Sequence, residues 1–289
     1  MKKTLCLLLL LCSMFAFGTT KQVDVIYGKD NRKDLYEVTS ELYLELARST
    51  AGMISHSAIQ PLANETYKIS GDPLTSRGIC AKEKFSNQIS AANCSGFLVG
   101  EDLLATAGHC IRNATDCASY SWVFDYALTS SSQKEITVPK SSIYKCKEVI
   151  RTIVNPTDMM DYALIRLDRK ATNRKPLEFR KAGSPKVGDN LVVIGCPTGI
   201  PLKVADAAKV RSLKGTHFVT NLDTYGGNSG SPVFNADTGL VEGILVRGET
   251  DYVRDPSGCA VSNVCADTGC RGEDVSYSND LKNLIKNTK

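Results

Sequence analysis

The chain has 289 residues, of which 42% are hydrophobic and 23% are charged. This composition is close to that of ordinary globular proteins and excludes global disorder. The formal net charge of +4 comes without a dense block of lysine or arginine, which argues against nucleic acid as a partner.

The first eighteen residues have the features of a secretory signal peptide. Two lysines precede the apolar run Leu5–Leu11, and Ala16–Gly18 offers small residues at the spacing that a signal peptidase requires. The alternative is a lipoprotein anchor at Cys12, but Leu11 stands where such an anchor needs a small residue. We therefore expect an exported protein, secreted or periplasmic. No other stretch is apolar enough for stable membrane insertion.

Nine cysteines remain beyond this leader. An exported chain with so many cysteines is expected to form disulfides, and an odd number leaves at least one thiol free or paired between chains. Cys259, Cys265 and Cys270 are close in sequence, but a fourth ligand is not evident, so we expect no metal site.

Residues 19–70 form an N-terminal segment, which is either a propeptide or an extension packed on the domain. Within it, Asp34–Ile54 carries leucine, valine and isoleucine at helical spacing, which favours a helix. From Ser95 onwards, short apolar runs alternate with turn residues, a pattern typical of an all-β barrel or sandwich. A short helix is predicted near the C-terminus, at about residues 279–287.

Three segments carry residues suited to chemistry: Ala105–Cys110 (ATAGHC), Asp161–Ile165 (DYALI) and Gly226–Pro232 (GGNSGSP). In this order they resemble the signature segments of trypsin-like serine peptidases. The resemblance covers residues 77–250 well. It implies an all-β fold of two six-stranded antiparallel barrels, at about 71–168 and 175–278, within a peptidase domain spanning 71–289.

The resemblance also implies roles for single residues. Ser229 would be the nucleophile, His109 the acid-base and Asp161 the residue that orients the histidine. A serine hydroxyl is a poor nucleophile, so an imidazole must take its proton, and a carboxylate must fix the imidazole tautomer. The N–H groups of Gly227 and Ser229 would form the oxyanion hole. The alternatives are a structural histidine, a turn acid and a simple tight turn.

The same resemblance implies a disulfide between Cys94 and Cys110, which would hold the histidine loop. The other seven cysteines cannot be paired from sequence. The segment Val25–Arg32 resembles the mature start of bacterial glutamyl endopeptidases. Asn228 stands where animal enzymes carry the aspartate that receives a new N-terminus, so activation by that ion pair is not expected.

Specificity depends on the pocket floor. Asp223, six residues before the serine, occupies the position where trypsin-type enzymes bind arginine or lysine, and Thr224 follows it. Glutamyl endopeptidases use a histidine where this chain has Leu245. We therefore expect cleavage after arginine or lysine. In the alternatives, Asp223 caps a turn and points away, or Arg247 neutralises it or favours acidic residues elsewhere in the substrate.

Val246, Arg247 and Gly248 would supply the edge strand that pairs with an extended substrate. Protein or peptide substrates are the expected partners, no cofactor is required, and we expect a monomer. Two other functions remain open: a peptidase that cleaves after glutamate or aspartate, and a non-catalytic binding protein built on the same scaffold.

Overall fold

The computed structural model describes residues 25–288, so the predicted signal peptide lies outside the described residues. Strands dominate the regular structure, as the short apolar runs predict. In chain order the strands are β1 (Ile26–Tyr27), β2 (Arg32–Asp34), β3 (Thr50–Ser55), β4 (Ile59–Pro61), β5 (Thr66–Ile69), β6 (Asp72–Pro73), β7 (Ile89–Ser90), β8 (Ala92–Leu98), β9 (Leu103–Thr106), β10 (Tyr120–Phe124), β11 (Ile136–Pro139), β12 (Ile143–Val154), β13 (Asp161–Leu167), β14 (Asn190–Gly195), β15 (Lys203–Leu213), β16 (His217–Thr220), β17 (Pro232–Asn235), β18 (Val241–Arg247), β19 (Tyr252–Arg254), β20 (Ala260–Ser262), β21 (Val264–Cys265) and β22 (Glu273–Tyr277). The α-helices are α1 (Glu41–Ala47), α2 (Ala114–Ser119) and α3 (Asn279–Thr288).

The first barrel is closed by six antiparallel strands in the order β10, β12, β13, β9, β8 and β3. Its interior contains Phe97, Leu104, Val123 and Ile165, all fully buried. The long strand β12 has two register shifts against β13, and such irregularities let a strand bend around a barrel.

The second barrel contains strands β14, β17, β18, β22, β16 and β15, and the pairing of β14 with β15 closes it. Leu191, Phe218, Leu245 and Val275 fill its core. The prediction of two six-stranded barrels is therefore confirmed. Among the described residues, no helix is long and apolar enough to cross a membrane.

The N-terminal segment differs from the expected helix. Helix α1 ends at Ala47, and Thr50–Ser55 forms β3, between β8 and β10 of the first barrel. The prediction of a helix through Ile54 is wrong because residues 50–54 are buried on both faces of the strand, which removes the alternation that identifies a strand. The first barrel consequently begins at residue 50 rather than at 71.

Both ends of the described chain pack across the molecule. Strand β2 adds to β15 of the second barrel, where Lys203 Nζ lies 2.6 Å from Asp34 Oδ1 in a fully buried ion pair. Helix α3 follows β22 of the second barrel, and its buried residues Leu281 and Ile285 join the core cluster that contains the first barrel. Each terminal segment therefore ties the two barrels together.

Among residues 25–288, four pairs of cysteines lie at disulfide distance, and Cys196 is a buried free thiol. The predicted pair, Cys94 with Cys110, is one of them. The remaining pairs are Cys80–Cys259, Cys117–Cys146 and Cys265–Cys270.

Candidate active site

The histidine loop leaves β9 after Thr106 and forms a short 3₁₀ helix at Gly108–Cys110. A Cβ atom at Gly108 would lie 2.1 Å from the carbonyl oxygen of Ile153, so only glycine allows the loop to approach β12 this closely. This close approach places His109 beside the first residue of β13, which is Asp161.

Two hydrogen bonds join His109 to Asp161. The ring Nδ1 lies 2.7 Å from Asp161 Oδ2, and the His109 backbone N–H donates to Asp161 Oδ1 at 3.1 Å. Asp161 is only 6% exposed. A carboxylate only accepts hydrogen bonds, so Nδ1 carries the proton in a neutral imidazole and Nε2 is left as the basic nitrogen.

The serine loop lies between β16 and β17 and rests on the first barrel. At Gly230 the backbone φ is +88°, and a Cβ atom there would lie 2.1 Å from the carbonyl oxygen of Ser95. The Ser95 N–H donates to the Ser229 carbonyl, and its hydroxyl donates to the Gly227 carbonyl, both at 2.8 Å. A cleft of about 400 Å³ is lined by His109, Gly227 and Ser229 together.

The N–H groups of Gly227 and Ser229 have no hydrogen-bond acceptor among residues 25–288. Ser229 is 5% exposed, so its N–H group is largely shielded from solvent. Buried backbone donors are nearly always satisfied, and unpaired ones call for an explanation. The shielded N–H of Ser229 and the N–H of the half-buried Gly227 lie on one loop and are suited to a developing oxyanion in the adjoining cleft.

Cys94, His109 and Cys110 have their potential ligand atoms within 4.8 Å of one another. This group does not form a metal site, because Cys94 and Cys110 are at disulfide distance and their thiolates are not available. The pairing instead links β8 to the histidine loop. Cys259, Cys265 and Cys270 are likewise paired with other cysteines.

Asp223 contacts the start of the described chain. Its Oδ1 accepts the Tyr27 N–H at 2.7 Å, and its Oδ2 accepts the Asn31 N–H at 2.8 Å. The side chain is 4% exposed, and burial raises the pKa of this carboxyl to about 6. Asp223 thus anchors the N-terminal segment, in keeping with the alternative of a backbone-capping acid.

Thr224 is fully buried and contacts a second acid that sequence analysis missed. Its hydroxyl donates to Glu273 Oε2 at 2.7 Å, and the Tyr27 hydroxyl and Glu249 N–H donate to Glu273 Oε1. Glu273 is wholly buried. It therefore joins the segment before the serine to the segment that follows β18.

The predicted substrate strand, Val246–Gly248, lies at the end of β18. Strand β17 pairs with β18 only as far as Ile244, so this end extends beyond β17. Val246 is buried, and the Gly248 carbonyl accepts Arg271 Nη1 at 2.6 Å. Arg247 does not reach Asp223 as a hydrogen-bond partner. Its Nη2 donates instead to the Met159 carbonyl at 2.9 Å, on the side of His109.

Sequence analysis also missed Ser95, which makes three of the contacts around the serine loop. Besides its two bonds to that loop, its hydroxyl oxygen accepts the Cys196 N–H at 2.9 Å. The only sequence signal was its position between the predicted disulfide residue Cys94 and Gly96. Glu273 gave no signal, because it lies 44 positions beyond Ser229 in a segment without a recognisable motif.

Comparison with known proteins agrees with this geometry. A family model described as a trypsin-like peptidase domain matches residues 94–244, just over half of the chain. The glutamyl endopeptidase of Staphylococcus epidermidis is 26% identical over 155 residues. That match covers 51% of this chain and 51% of the relative, so the chain spans about half the length of the curated relative.

Two solved structures share the fold. One is a Glu endopeptidase in complex with MPD, with a TM-score of 0.53 and 15% identity, covering 92% of this chain and 99% of that one. The other is the VesB protease of Vibrio cholerae, with a TM-score of 0.54 and 16% identity, covering 90% of this chain and 67% of that one. With the family match over more than half of its length, the chain belongs to the trypsin-like peptidase family.

Proposed function

We propose that this chain is an exported serine endopeptidase with Ser229 as nucleophile, His109 as acid-base and Asp161 as the orienting carboxylate. The observation that carries the proposal is the 2.7 Å contact between His109 Nδ1 and Asp161 Oδ2, beside the cleft that Ser229 lines. A histidine held in this way by a buried acid is suited to proton transfer with a serine hydroxyl.

The proposed reaction proceeds through an acyl-enzyme. Ser229 Oγ attacks the scissile carbonyl carbon while His109 Nε2 takes the hydroxyl proton. The carbonyl π electrons move to oxygen, which accepts hydrogen bonds from the N–H groups of Gly227 and Ser229. Collapse of this intermediate breaks the C–N bond, and His109 returns the proton to the departing amine. Water then repeats the sequence and releases the acid product.

We also propose that the enzyme cleaves after arginine or lysine. Two deeply buried acids adjoin Thr224: Asp223 precedes it in the chain, and Glu273 accepts its hydroxyl. Asp251 adds a third carboxylate, which accepts the Gly226 N–H at 3.1 Å. A concentration of negative charge in a shielded site favours a cationic side chain. Leu245, in place of the histidine of glutamyl endopeptidases, argues against an acidic one.

Export is part of the proposal. Four cysteine pairs at disulfide distance are typical of proteins that mature in an oxidising compartment. The leader sequence of residues 1–18 supports the same conclusion. N-terminal sequencing of the exported protein would establish where the mature chain begins.

A fluorophosphonate probe tests the nucleophile directly. We expect covalent labelling at Ser229, located by mass spectrometry of the modified peptide, and no labelling of a Ser229→Ala variant. Absence of labelling in correctly folded protein would favour a non-catalytic binding protein. Reporter peptides with arginine, leucine or glutamate before the scissile bond test specificity, and faster cleavage after glutamate would contradict the arginine or lysine preference.

A further inference from the structure

A second cleft adjoins the His109–Asp161 pair and has a cationic wall. It has a volume of about 240 Å³, and both Arg112 and Arg247 line it. Met160 and Asn155 form part of the remaining wall. The proton-transfer chemistry makes no use of either arginine, so the cleft needs a separate explanation.

The position of this cleft identifies the part of a substrate that would reach it. An extended peptide paired with Val246–Gly248 points successive side chains in opposite directions. The residue whose carbonyl is attacked (P1) would point towards the pocket walled by Thr224. The preceding residue (P2) would then point to the opposite side, where Arg247 and His109 line the same cleft.

Arg247 is held in place before any substrate arrives. Its Nη2 donates to the Met159 carbonyl at 2.9 Å, and its Nη1 lies 3.0 Å from Met159 Sδ. Met159 has a φ of +65°, a left-handed conformation that is costly for a residue other than glycine. The hydrogen bond from the Arg247 guanidinium stabilises the turn at Met159, and the same bond fixes the position of the guanidinium. A fixed group loses little entropy when it binds a ligand.

The carboxylate behind Arg247 compensates the charge of its guanidinium only in part. Asp274 Oδ2 lies 4.0 Å from Arg247 Nε but only 2.6 Å from Arg271 Nη2, so two guanidinium groups share one carboxylate. The other oxygen of Asp274 lies 3.8 Å from His217 Nε2. Among the residues that line the cleft, Arg112 and Arg247 are cationic and Asp161 is the one acid.

The acids on the other side of the cleft are already engaged. Asp161 accepts both the ring N–H and the backbone N–H of His109. Asp158 accepts Asn155 Nδ2 at 2.9 Å and the Met160 N–H at 3.1 Å. A carboxylate entering the cleft would therefore meet guanidinium donors.

We propose that Arg247, assisted by Arg112, forms a subsite for an acidic side chain at P2. This proposal rests on the proposed endopeptidase function and extends it. The preferred cleavage sequence would carry glutamate or aspartate directly before the arginine or lysine at P1. Arginine binds carboxylates through two parallel N–H donors, so Arg247 would select for charge and for geometry.

Three reporter peptides that differ only at P2 test the subsite. They carry glutamate, glutamine or lysine at P2, arginine at P1, and the same residues elsewhere. We expect kcat/KM for the P2-glutamate peptide to exceed that for the P2-lysine peptide by about tenfold or more, the size of effect typical of a single charged contact. Arg247→Gln should bring this ratio close to one, and Arg247→Lys should give an intermediate ratio.

Lys134→Gln is the matched control, because it removes one exposed positive charge from the loop before β11. It should leave the ratio unchanged. If Arg247→Gln does not fold, Arg112→Gln provides a second test, because Arg112 is exposed and its substitution should not disturb the fold. The Arg112→Gln variant should lower the ratio by about threefold.

Three outcomes would overturn the subsite. In the first, the wild-type protein cleaves all three peptides at the same rate. In the second, Arg247→Gln slows all three equally and keeps the ratio, which would make Arg247 only a support for the Met159 turn. In the third, the protein neither cleaves any peptide nor reacts with a fluorophosphonate. Only the third result would also refute the proposed function, so the two failures can be distinguished.

Discussion

The two sides of the candidate active site are held in place by different parts of the chain. His109 and Asp161 adjoin the hydrogen-bonded strands β9 and β13 of one barrel. Across the cleft, Asp223 is bonded to Tyr27, which lies 196 positions earlier in the chain. The His109–Asp161 pair therefore depends on sheet pairing within one barrel, whereas the proposed pocket depends on the correct docking of a distant segment. Substitutions should accordingly separate catalytic rate from substrate selectivity.

The largest expected effect is a loss of kcat on substitution of Asp161, the partner of His109. Asp161→Asn should keep the fold but favour the wrong imidazole tautomer, and kcat should fall by about 10⁴-fold. Steady-state kinetics on the arginine peptide measure the loss. Asp158→Asn is the control, since this neighbouring acid bonds only to its own loop, and its kcat should stay within about tenfold of the wild type. Equal losses in the two variants would remove the special role of Asp161.

The next effect concerns the docking of the N-terminal segment. Lys203→Met leaves Asp34 as an uncompensated buried charge, so the free energy of unfolding should fall by about 3–5 kcal/mol, as measured by urea denaturation. Lys33→Met is the matched control, because its pair with Asp206 is partly exposed and should contribute about 1 kcal/mol or less. A comparable loss in both variants would contradict the argument from burial.

A smaller effect is expected at the pocket. Asp223→Asn removes a negative charge and one of two backbone anchors, so the preference for arginine over leucine at P1 should fall by about tenfold in kcat/KM. Reaction with a fluorophosphonate should persist, since the His109–Asp161 contact involves neither Asp223 nor its hydrogen-bond partners. Asp206→Asn, an acid on the same barrel, should keep the wild-type preference. An unchanged preference in Asp223→Asn would assign selectivity to other groups, Glu273 first among them.

The smallest effect is a dependence of selectivity on pH. Because burial raises the pKa of Asp223 to about 6, its charge is present above that pH and is lost by protonation below it. The arginine-to-leucine ratio should therefore fall by about fivefold between roughly pH 7.5 and roughly pH 5. Taking the ratio cancels any pH dependence that the two peptides share. The fall should be absent in Asp223→Asn, and its persistence there would point to a different titrating group.

Sequence alone was sufficient where a local motif specifies local structure. The segments around His109 and Ser229 were recognisable as motifs, and the glycines around Ser229 fit the need for backbone N–H groups to converge without side chains in the way. The short apolar runs between turns predicted an all-β barrel or sandwich, and the resemblance to trypsin-like serine peptidases implied the two barrels. The positions of strands within those barrels were harder, as β3 shows: a strand buried on both faces gives no alternating pattern.

Contacts between distant segments could not be predicted from the sequence. Nothing local indicates that Glu273 meets Thr224, or that the hydroxyl of Ser95 supports the Gly227 carbonyl. These contacts join segments that are distant in sequence and adjacent only in the folded chain. Which polar groups form hydrogen bonds there depends on the tertiary structure. Asp223 illustrates the limit: the sequence shows that it stands six residues before Ser229, but not that its carboxylate accepts hydrogen bonds from Tyr27 and Asn31.

The link between Cys80 and Cys259 has a consequence for how damage to this protein would be observed. Residues 168–189 connect the barrels and carry exposed lysines at positions 170, 181 and 186, each followed by a residue other than proline and therefore a cleavage site for an enzyme with the proposed preference. A cut there would fall inside the 179-residue loop that the disulfide closes. The two fragments would stay joined and migrate as one species in electrophoresis until a reducing agent separated them.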